Sequence, residues 1–414
     1  MDGYAVGRRI AYWRERRRLT QADFGALMGQ SRRWVQSLES GVRQADPRLS
    51  VLENAARVLR IPLVWLLSGP ADAERVDAVE LEAIRAVLYR HDVITSTAAD
   101  GDEAAEPVAL DVLRRQVAYG WDAFQASRFT LLSRLLPELL TRTNRAAARY
   151  TGEDQTVAYC ALAMALCLTE AVCVKFGSGP LAALAGRRAV VVAERCGDAA
   201  VMATAACHLC DAMTEDGQPA AAARFATAAA ARLEPYLVSA GPAGLSALGA
   251  LYLKAAMAQA TLAADNSSTA SDAARAVPAL LDRAAQHAAR LDGANNALWS
   301  AFNAANVSLY RLATHVQLAQ GAEAVAVATS MPAPDIDQLP RERRAHRLVD
   351  LAHAYTLAGQ RTAAVDALLA AEREAAEEVR SRPRTRRLIE ELSLLGTGNA
   401  EARLRALAGR CGLP

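Results

Sequence analysis

The sequence contains only two lysines, at positions 175 and 254, against 45 arginines, and aromatic residues make up 5% of the chain. Stretches in which Val, Ile, Tyr or Thr alternate with polar residues are hard to find, so the pattern that predicts β-strands is almost missing. Alanine supplies much of the 52% hydrophobic fraction, and alanine is the best helix former because it loses no side-chain entropy. We therefore predict an all-α fold with helices packed closely on small side chains.

The patterns of common catalytic sites are also missing. We find no phosphate-binding glycine loop, no serine elbow and no pair of acids at catalytic spacing, so we predict that the chain is not an enzyme and needs no cofactor. The segment Cys207-His208-Leu209-Cys210, with Cys196 upstream, contains metal-ligand residue types. It lies on one predicted helix and lacks a second ligand pair, so we interpret its cysteines as small core residues and predict no metal.

Secretion and membrane signals are missing as well. The chain begins with Met1-Asp2-Gly3 and continues into an amphipathic segment, whereas a signal peptide would show a basic start and an apolar run. The longest apolar stretch, Val157–Leu168, is predicted to be too short to span a bilayer. The seven cysteines are an odd number, which favours a reducing compartment. We expect a soluble cytoplasmic protein with no membrane partner.

The net charge of +2 is distributed unevenly along the chain. Residues 1–70 contain twelve Arg and six Asp or Glu, a net charge of +6, whereas the remainder has 35 basic and 39 acidic residues, a net charge of −4. A basic segment joined to a larger acidic one is typical of a small module that binds a polyanion. The charge distribution therefore predicts nucleic-acid binding within residues 1–70.

Residues 1–70 carry signals for five short helices. The first helix is predicted over Val6–Arg17, and the third over Arg32–Ser40. Thr20 is the predicted N-cap of a second helix over Gln21–Met28, which ends at Gly29. A tight turn that contains glycine between the second and third helices is the plan of a helix-turn-helix.

Two further helices are predicted after this turn. Ser50 and Glu53 have the spacing of a capping box for the fourth helix. Pro62 favours the start of a short fifth helix, which ends near Ser68-Gly69.

A series of residues in this segment is distinctive: Thr20-Gln21-Ala22-Asp23-Phe24-Gly25, then Gly29, Ser31, Val35, Leu38-Glu39 and Gly41, and finally Val64-Trp65-Leu66-Leu67-Ser68-Gly69. This series resembles the Cro/C1-type (xenobiotic-response-element) family of helix-turn-helix domains found in phage repressors. Phe24 and Gly25 replace the Leu-Ala pair that is usual in the family, and Gln30 replaces a small apolar residue. The resemblance implies a transcriptional regulator that binds double-stranded DNA.

In such domains the N-terminal half of the third helix enters the major groove. An arginine there reads guanine through O6 and N7 with two hydrogen bonds. Arg32 and Arg33 lie in that half and Ser37 lies one turn further on, so the resemblance implies that these three residues contact bases. Alternatively, Arg32 and Arg33 contact phosphates, since more than half of protein–DNA hydrogen bonds go to the backbone.

The resemblance also implies contacts to the DNA backbone. Gln21 matches a phosphate contact of the family, and Ser31, Ser40 and Arg43 flank the groove. Trp34 is predicted either to contact a sugar or a thymine methyl group, or to pack at the surface of the domain.

Arg14 and Glu39 match a family salt bridge between the first and third helices. The resemblance implies that this pair is structural, so neither side chain is assigned a base contact.

Residues 71–107 are predicted to connect two parts of the chain. Val76, Val79, Ile84, Val87 and Leu88 recur at near-helical spacing and indicate a connecting helix. Residues 95–107 are small and acidic without apolar anchors, which is typical of a flexible linker.

From residue 108 to residue 414 the sequence predicts one helix after another, separated by short Gly, Pro, Asp or Asn breaks. The clearest internal repeat consists of Leu348, Leu351-Ala352, Tyr355, Gly359, Ala364, Leu368 and Ala371, whose spacings are those of a tetratricopeptide repeat. Weaker copies begin at Leu209 and at Tyr310, and the copies lie further apart than one repeat. We predict a degenerate α-solenoid of tetratricopeptide-like helix pairs.

An α-solenoid leaves a concave inner face for a ligand. The combination with a helix-turn-helix resembles bacterial quorum-sensing regulators in which such an array receives a signalling peptide. The resemblance implies a homodimer on a palindromic operator and a peptide or small-molecule effector.

One segment of the array has candidate effector contacts. The proposed contacts are Asn303, Asn306, Tyr310 and Arg311, since Asn303 and Asn306 lie at i, i+3 and an Asn amide pairs well with a peptide backbone. Alternatively, the nearby Asn295 and Asn296 cap this helix and its aromatic residues belong to the core.

Three functions therefore stay open. The leading hypothesis is an effector-controlled regulator. The alternatives are a helical-repeat interaction scaffold tethered to DNA, and a prophage-type repressor that needs no ligand.

Overall fold

A computed structural model describes residues 3–17, 19–40, 47–59, 61, 63, 66, 73–90, 108–264, 269–291 and 296–413. The all-α prediction is confirmed, because no β-strand occurs in these ranges. The chain divides into two compact units, one formed by Met1–Ala78 with Ala408–Pro414 and the other by Val79–Leu407. The boundaries expected at residues 70 and 107 stay predictions, since the segments 67–72 and 91–107 lie outside the described residues, as does most of the predicted fifth helix.

The first unit contains the helices α1 (Gly3–Arg16), α2 (Gln21–Met28), α3 (Arg32–Ser40) and α4 (Leu49–Leu59). The predicted bounds of α2 and α3 are confirmed. The predicted start of the fourth helix was wrong, because α4 begins at Leu49 and Ser50 lies in its first turn rather than at its cap. The next helix, α5 (Ala73–Leu88), covers most of the predicted connecting helix.

Local signals fix the turn between α2 and α3. Thr20 and Asp23 form a reciprocal capping box at the start of α2, and Gly29 ends the helix at a φ of 68°, a conformation that costs glycine little. Gly25 lies on α2 where a Cβ atom would be 2.8 Å from the carbonyl oxygen of Gln30. Glycine at position 25 therefore permits a close approach of the turn.

Apolar side chains of all four helices form the core of this unit. Val6, Ile10, Phe24, Val35 and Leu38 are fully buried in it. Full burial of one such side chain contributes about 2 kcal/mol, so the core holds the short helices together despite their length.

The second unit is a series of antiparallel helices. They are α6 (Leu110–Gln125), α7 (Phe129–Arg149), α8 (Gly152–Lys175), α9 (Gly179–Cys196), α10 (Ala199–Glu215), α11 (Pro219–Ser239), α12 (Gly241–Ala264), α13 (Ala270–Ala288), α14 (Ala304–Gln317), α15 (Gly321–Ser330), α16 (Ala333–Asp337), α17 (Arg341–Leu357), α18 (Arg361–Glu374), α19 (Ala376–Arg380), α20 (Pro383–Leu395) and α21 (Glu401–Arg410), the last reaching into the first unit's range. A 3-10 turn, Ala297–Trp299, precedes α14, and another, Gly398–Ala400, precedes α21.

The helices of this unit pack in pairs, and one helix of each pair forms an inner layer. Successive inner helices contact one another in the order α6, α8, α10, α12, α14 and α17. Helix α17 also contacts α6, so the first and last inner helices meet. The clearest sequence repeat forms the pair α17–α18, in which Ala352, Ala364, Leu368 and Ala371 are fully buried.

Two helices, α8 and α12, are long and apolar enough to cross a membrane by length and composition alone. The expectation that Val157–Leu168 belongs to a segment too short to do so was wrong, because α8 continues through Thr169 and Glu170 to Lys175 and has 24 residues. The most apolar windows of α8 and α12 are 78% and 56% buried within the fold, as in core helices of a globular protein.

Candidate functional site

Helix α3 presents a charged, exposed face. Arg32 and Arg33 are exposed at its N-terminal end, and Ser37 is half-buried one turn further on. Val35 and Leu38 on the opposite face are fully buried, so the side of α3 that carries the two arginines is the side that faces away from the core.

Arg14 on α1 and Glu39 on α3 form a two-pronged ion pair. Arg14 Nε donates to Glu39 Oε1 at 2.6 Å and Arg14 Nη2 donates to Glu39 Oε2 at 3.1 Å, and both residues are buried. The hydrogen bond to Glu39 raises the pKa of Arg14 above its usual range. Arg14 Nη1 also donates to the carbonyl oxygen of Leu19. This network fixes the direction of α3 relative to α1 and the start of α2.

The side chain of Gln21 belongs to the same network. Gln21 Nε2 donates to Glu39 Oε2 at 2.8 Å. Gln21 was predicted to contact a phosphate. Its side-chain amide instead donates a hydrogen bond within the domain.

The other predicted backbone contacts lie at the ends and sides of α3. Ser31 Oγ accepts a hydrogen bond from the backbone N–H of Trp34 at 3.2 Å, which is the geometry of a helix cap. Ser40 Oγ donates to the carbonyl oxygen of Ser37. Trp34 is half-buried and packs against the core, and Arg43 lies outside the described residues.

The second unit contains a cavity of about 510 Å³. Side chains of the inner helices α6, α8, α10, α12, α14 and α17 line it, together with α20 and the 3-10 turn. Both lysines of the chain, Lys175 and Lys254, are among these side chains. Sequence reasoning did not identify this site, although the placement of the only two lysines was a signal that was available.

A buried ion cluster forms one side of the cavity. Lys175 Nζ lies 2.5 Å from Glu342 Oε1 and 2.8 Å from Glu378 Oε2. Arg382 Nη1 donates to Glu378 Oε1 at 2.6 Å. Burial raises the pKa of Glu342, but Arg343 and Lys175 oppose this effect and hold that pKa well below its usual range.

A second buried acid lies on α8. Glu170 is 1% exposed, and its Oε2 lies 2.6 Å from Nδ1 of His208 on α10. Burial raises the pKa of Glu170 to about 7, against the opposing charge of His208. This carboxyl group therefore titrates near neutral pH.

Aromatic rings form another part of the wall. The rings of Trp121 and Trp299 are nearly parallel, with centroids 6.1 Å apart, and His208 lies 5.5 Å from the ring of Trp121. Trp299 and its neighbours Leu298 and Ala301 have φ values of 54°, 50° and 50°. Non-glycine residues rarely adopt such values, which persist where surrounding contacts hold the backbone in place.

Hydrogen bonds hold this strained segment in place. Trp299 Nε1 donates to Asp122 Oδ1 at 2.9 Å, and Gln125 Nε2 donates to the carbonyl oxygen of Trp299 at 3.0 Å. The backbone N–H of Ala301 donates to Asn296 Oδ1. Helix α6 therefore positions the tryptophan ring on the cavity wall.

Several buried polar atoms of the cavity wall have no hydrogen-bond partner among the described residues. They are Trp121 Nε1, Glu170 Oε1, Asn306 Oδ1, Arg347 Nε and Asp350 Oδ1. A buried polar group without a partner costs about 1–3 kcal/mol, so a cluster of such groups around one cavity favours a site for a polar ligand.

The predicted effector residues are only partly brought together. Asn306 and Tyr310 line the cavity, and Tyr310 lies under Lys254 with its ring centroid 5.4 Å from Nζ. The prediction that Asn303 shares a helical face with Asn306 was wrong, because Asn303 is the N-cap of α14 and accepts a hydrogen bond from the backbone N–H of Asn306. Arg311 pairs with Asp282 and does not line the cavity.

The cysteine-rich segment has the surroundings of core residues. Cys207 and Cys210 are buried, and burial raises the pKa of Cys210 to about 12, so neither is poised as a thiolate. Another group, Glu342, His346 and Glu378, has the spacing of metal ligands. Lys175 occupies the position between these two carboxylates, so the charge a metal would supply is already present.

Comparison with known proteins supports the assignment of the first unit. A helix-turn-helix family model matches residues 10–66. No curated protein sequence matches the chain. The chain is also similar to the crystal structure of Bacillus thuringiensis PlcR in complex with the peptide PapR7 and DNA, with 16% identity, coverage of 70% of this chain and 100% of that chain, and a TM-score of 0.28. The family match alone assigns residues 10–66 of this chain to a helix-turn-helix domain.

Proposed function

We propose that this chain is a sequence-specific, DNA-binding transcriptional regulator of the cytoplasm whose helical unit binds an effector. The observation that carries the first half is the geometry of α3. Its N-terminal arginines, Arg32 and Arg33, are exposed, while its other face is fixed by the core and by the ion pair between Arg14 and Glu39. A rigid helix with exposed arginines at its N-terminal end suits readout in the major groove.

Base contacts are assigned to Arg32, Arg33 and Ser37. Ser31 and Ser40, at the two ends of α3, and Arg43 beyond it are assigned to the DNA backbone. Phosphate contacts of this kind set the register of a protein on the duplex, whereas base contacts supply selectivity.

The second half of the proposal concerns the cavity of the helical unit. It is supported by the buried polar atoms that lack partners on its wall, notably those of Trp121, Glu170 and Asn306. A concave site with a few convergent polar groups is the usual form of a small-ligand site. We assign effector binding to this cavity, with Asn306 and Tyr310 as contacts, and we no longer assign it to Arg311.

A homodimer on a palindromic operator completes the proposal. Helix-turn-helix dimers bind two half-sites that are about 34 Å apart, one turn of the duplex. Sedimentation of the chain with a duplex that carries its preferred binding sequence measures the number of chains per duplex. A complex of one chain per duplex would overturn the dimer.

The test of DNA readout starts from a duplex recovered by selection from a random library. Kd is then measured by fluorescence anisotropy for the wild type and for Arg32→Ala. Loss of one two-pronged contact to guanine is expected to weaken binding by about 5- to 150-fold, equivalent to about 1–3 kcal/mol, and to relax the preference at one base pair.

Arg57→Ala is the matched control, since Arg57 is an exposed arginine of α4 in the same unit. We expect it to change Kd less than about threefold, through the general field alone. If Arg32→Ala, Arg33→Ala and Ser37→Ala all leave the selected sequence unchanged while the helix content is preserved, α3 does not read DNA, and the scaffold alternative gains support.

A further inference from the structure

Some of the cations around the cavity are paired with acids of the fold, and others are not. Lys175 lies between the carboxylates of Glu342 and Glu378, and Lys254 Nζ lies 2.5 Å from Asp211 Oδ2. The two lysines are therefore already balanced by acids of the fold. Arg382 is likewise held by its contact with Glu378.

Four other arginines line the same cavity, and two of them have a carboxylate within 4 Å. Arg343 and Arg347 are one turn apart on α17, and Arg384 and Arg387 are one turn apart on α20. Residues at these spacings share a helical face. The carboxylate that approaches α20 is Asp350, whose Oδ1 lies 3.8 Å from Arg384 Nη2.

Glu342 lies beside Arg343 at 3.5 Å but already contacts Lys175. Among the described residues, no carboxylate lies within ion-pair distance of Arg347 or Arg387. This wall therefore carries an excess of positive charge.

Arg347 shows the imbalance most clearly. Its Nη2 donates to the carbonyl oxygen of Ala328 at 2.9 Å, while its Nε is buried and has no hydrogen-bond partner within the part of the chain that the structure describes. Burial lowers the pKa of Arg347, as it does for a cation removed from water without a counter-charge. A partly buried guanidinium without an acid is costly to the fold, and an anion at Nε would offset that cost.

The aromatic part of the same cavity suits a flat apolar group. The rings of Trp121 and Trp299 are nearly parallel, and the side chains of Phe124 and Leu298 extend this surface. Trp121 is 3% exposed, and its Nε1 is a donor without a partner. Both Trp121 Nε1 and Arg347 Nε are donors, so each calls for an acceptor on the ligand.

We propose that the cavity binds an organic anion that carries an aromatic ring. Its carboxylate or other oxyanion is held by Arg347 with support from Arg343, Arg384 and Arg387, and its ring lies against the tryptophans. This inference rests on the proposed function, in which the occupant of the cavity is the effector. It names the chemical class of that effector.

The test uses three ligands of nearly equal shape: 2-naphthoate, neutral 2-naphthylmethanol and cationic 2-naphthylmethylammonium. Kd of each is measured by isothermal titration calorimetry on the full chain without DNA. We expect naphthoate to bind about tenfold tighter than the neutral analogue, because a hydrogen bond to a charged group contributes about this factor or more. The cation is expected to bind weakest.

Arg347→Gln is expected to raise the Kd of naphthoate about tenfold and to leave the Kd of the neutral analogue unchanged. The matched control is Arg311→Gln, because Arg311 is an arginine of the same unit that pairs with Asp282 outside the cavity. It is expected to change neither Kd. Should Arg347→Gln fail to fold, Arg384→Gln replaces it, since the Arg384 side chain is 36% exposed.

Equal affinity for the three ligands, no binding of naphthoate at millimolar concentration, or an equal loss of all three ligands in Arg347→Gln overturns the anion site. Failure of DNA readout is a separate result. If naphthoate binds as expected but Arg32→Ala leaves DNA selectivity unchanged, the anion site stands and the regulator does not.

Discussion

Replacing Lys175 with methionine removes the positive charge that joins three distant parts of the helical unit. Lys175 ends α8, Glu342 begins α17 and Glu378 lies on α19, 167 and 203 residues further along the chain. All three are at least nine-tenths buried. Methionine keeps the unbranched shape of the lysine side chain, so the substitution tests the charge more than the packing.

The expected loss of stability follows from what each carboxylate keeps. Without Lys175, Glu378 retains Arg382 at 2.6 Å, and Glu342 retains Arg343 at 3.5 Å. Breaking a buried ion pair by removal of one partner costs about 3–5 kcal/mol. Because other cations remain, we expect a value near the lower limit, about 3 kcal/mol at neutral pH.

The pH dependence gives the sharper test. In the wild type the pKa of Glu342 is held well below its usual range, with burial opposed by Arg343 and Lys175. A lowered pKa contributes stability above the unfolded pKa, which is lost as the pH falls. Without Lys175, Arg343 and His346 alone oppose the effect of burial, so the pKa of Glu342 rises and protonation costs less. The difference in the free energy of unfolding between variant and wild type must therefore shrink as the pH falls.

The assay is urea unfolding followed by circular dichroism between about pH 7 and pH 5. The double variant Lys175→Met, Glu342→Gln is the control, since it removes one of the uncompensated carboxylates and should recover about 1 kcal/mol or more of the loss. A cost below about 1 kcal/mol for Lys175→Met, or one that does not vary with pH, refutes the reasoning.

Three other changes test separate parts of the structure. Glu170→Gln is expected to stabilise the chain above about pH 7 by about 2 kcal/mol relative to wild type. The reason is that the pKa of this buried acid is raised to about 7, so its favourable contribution is present at low pH and lost as the pH rises through 7. Ala319→Gly should stabilise by about 0.5–1 kcal/mol, because Ala319, just after the C-cap of α14, has a φ of 58°, whereas Ala228→Gly within α11 should cost about 1 kcal/mol. Gly249→Ala should cost about 1–3 kcal/mol, since its Cβ would lie 1.9 Å from Cζ of the buried ring of Phe302.

Thermal and urea unfolding measure all of these changes. A Glu170→Gln variant whose advantage is the same at pH 5 and pH 8 contradicts the raised pKa, because the protonated acid and glutamine should differ little at low pH. If Ala319→Gly and Ala228→Gly shift stability in the same direction, backbone conformation does not explain the first. Wild-type stability of Gly249→Ala would show that Phe302 moves aside freely.

The elements predicted most accurately were those with local signals. The bounds of α2 and α3 followed from Thr20, Gly29 and Ser31, each of which acts on backbone groups within a few residues. The ion pair between Arg14 and Glu39 spans 25 residues, yet the resemblance to a family indicated it.

The cavity had no local signal of this kind. Lys175 meets Glu342 only because α17 returns to the first inner helices, and spacing along the sequence carries no record of that return. Asn303 and Asn306 are three residues apart. Two residues on one face of a helix have this spacing, and so do an N-cap residue and the residue whose backbone N–H it accepts. Only the start of α14 at Ala304 decides between them.

The apolar stretch in α8 was misjudged for a related reason. Thr169 and Glu170 are polar and looked like its end, but both are buried. Glu170 has His208 as a partner, and Thr169 donates to the carbonyl oxygen of Ala165. Partners of this kind allow a core helix to continue through polar residues.

Mapping of bound sites on chromatin tests the central claim most directly. Wild-type chain and Arg32→Ala are expressed at equal levels in the native host, crosslinked and recovered with their DNA. The account predicts discrete sites that share a palindromic sequence for the wild type and loss of most of them for Arg32→Ala. The same discrete sites in both, or uniform background binding by the wild type, would contradict it.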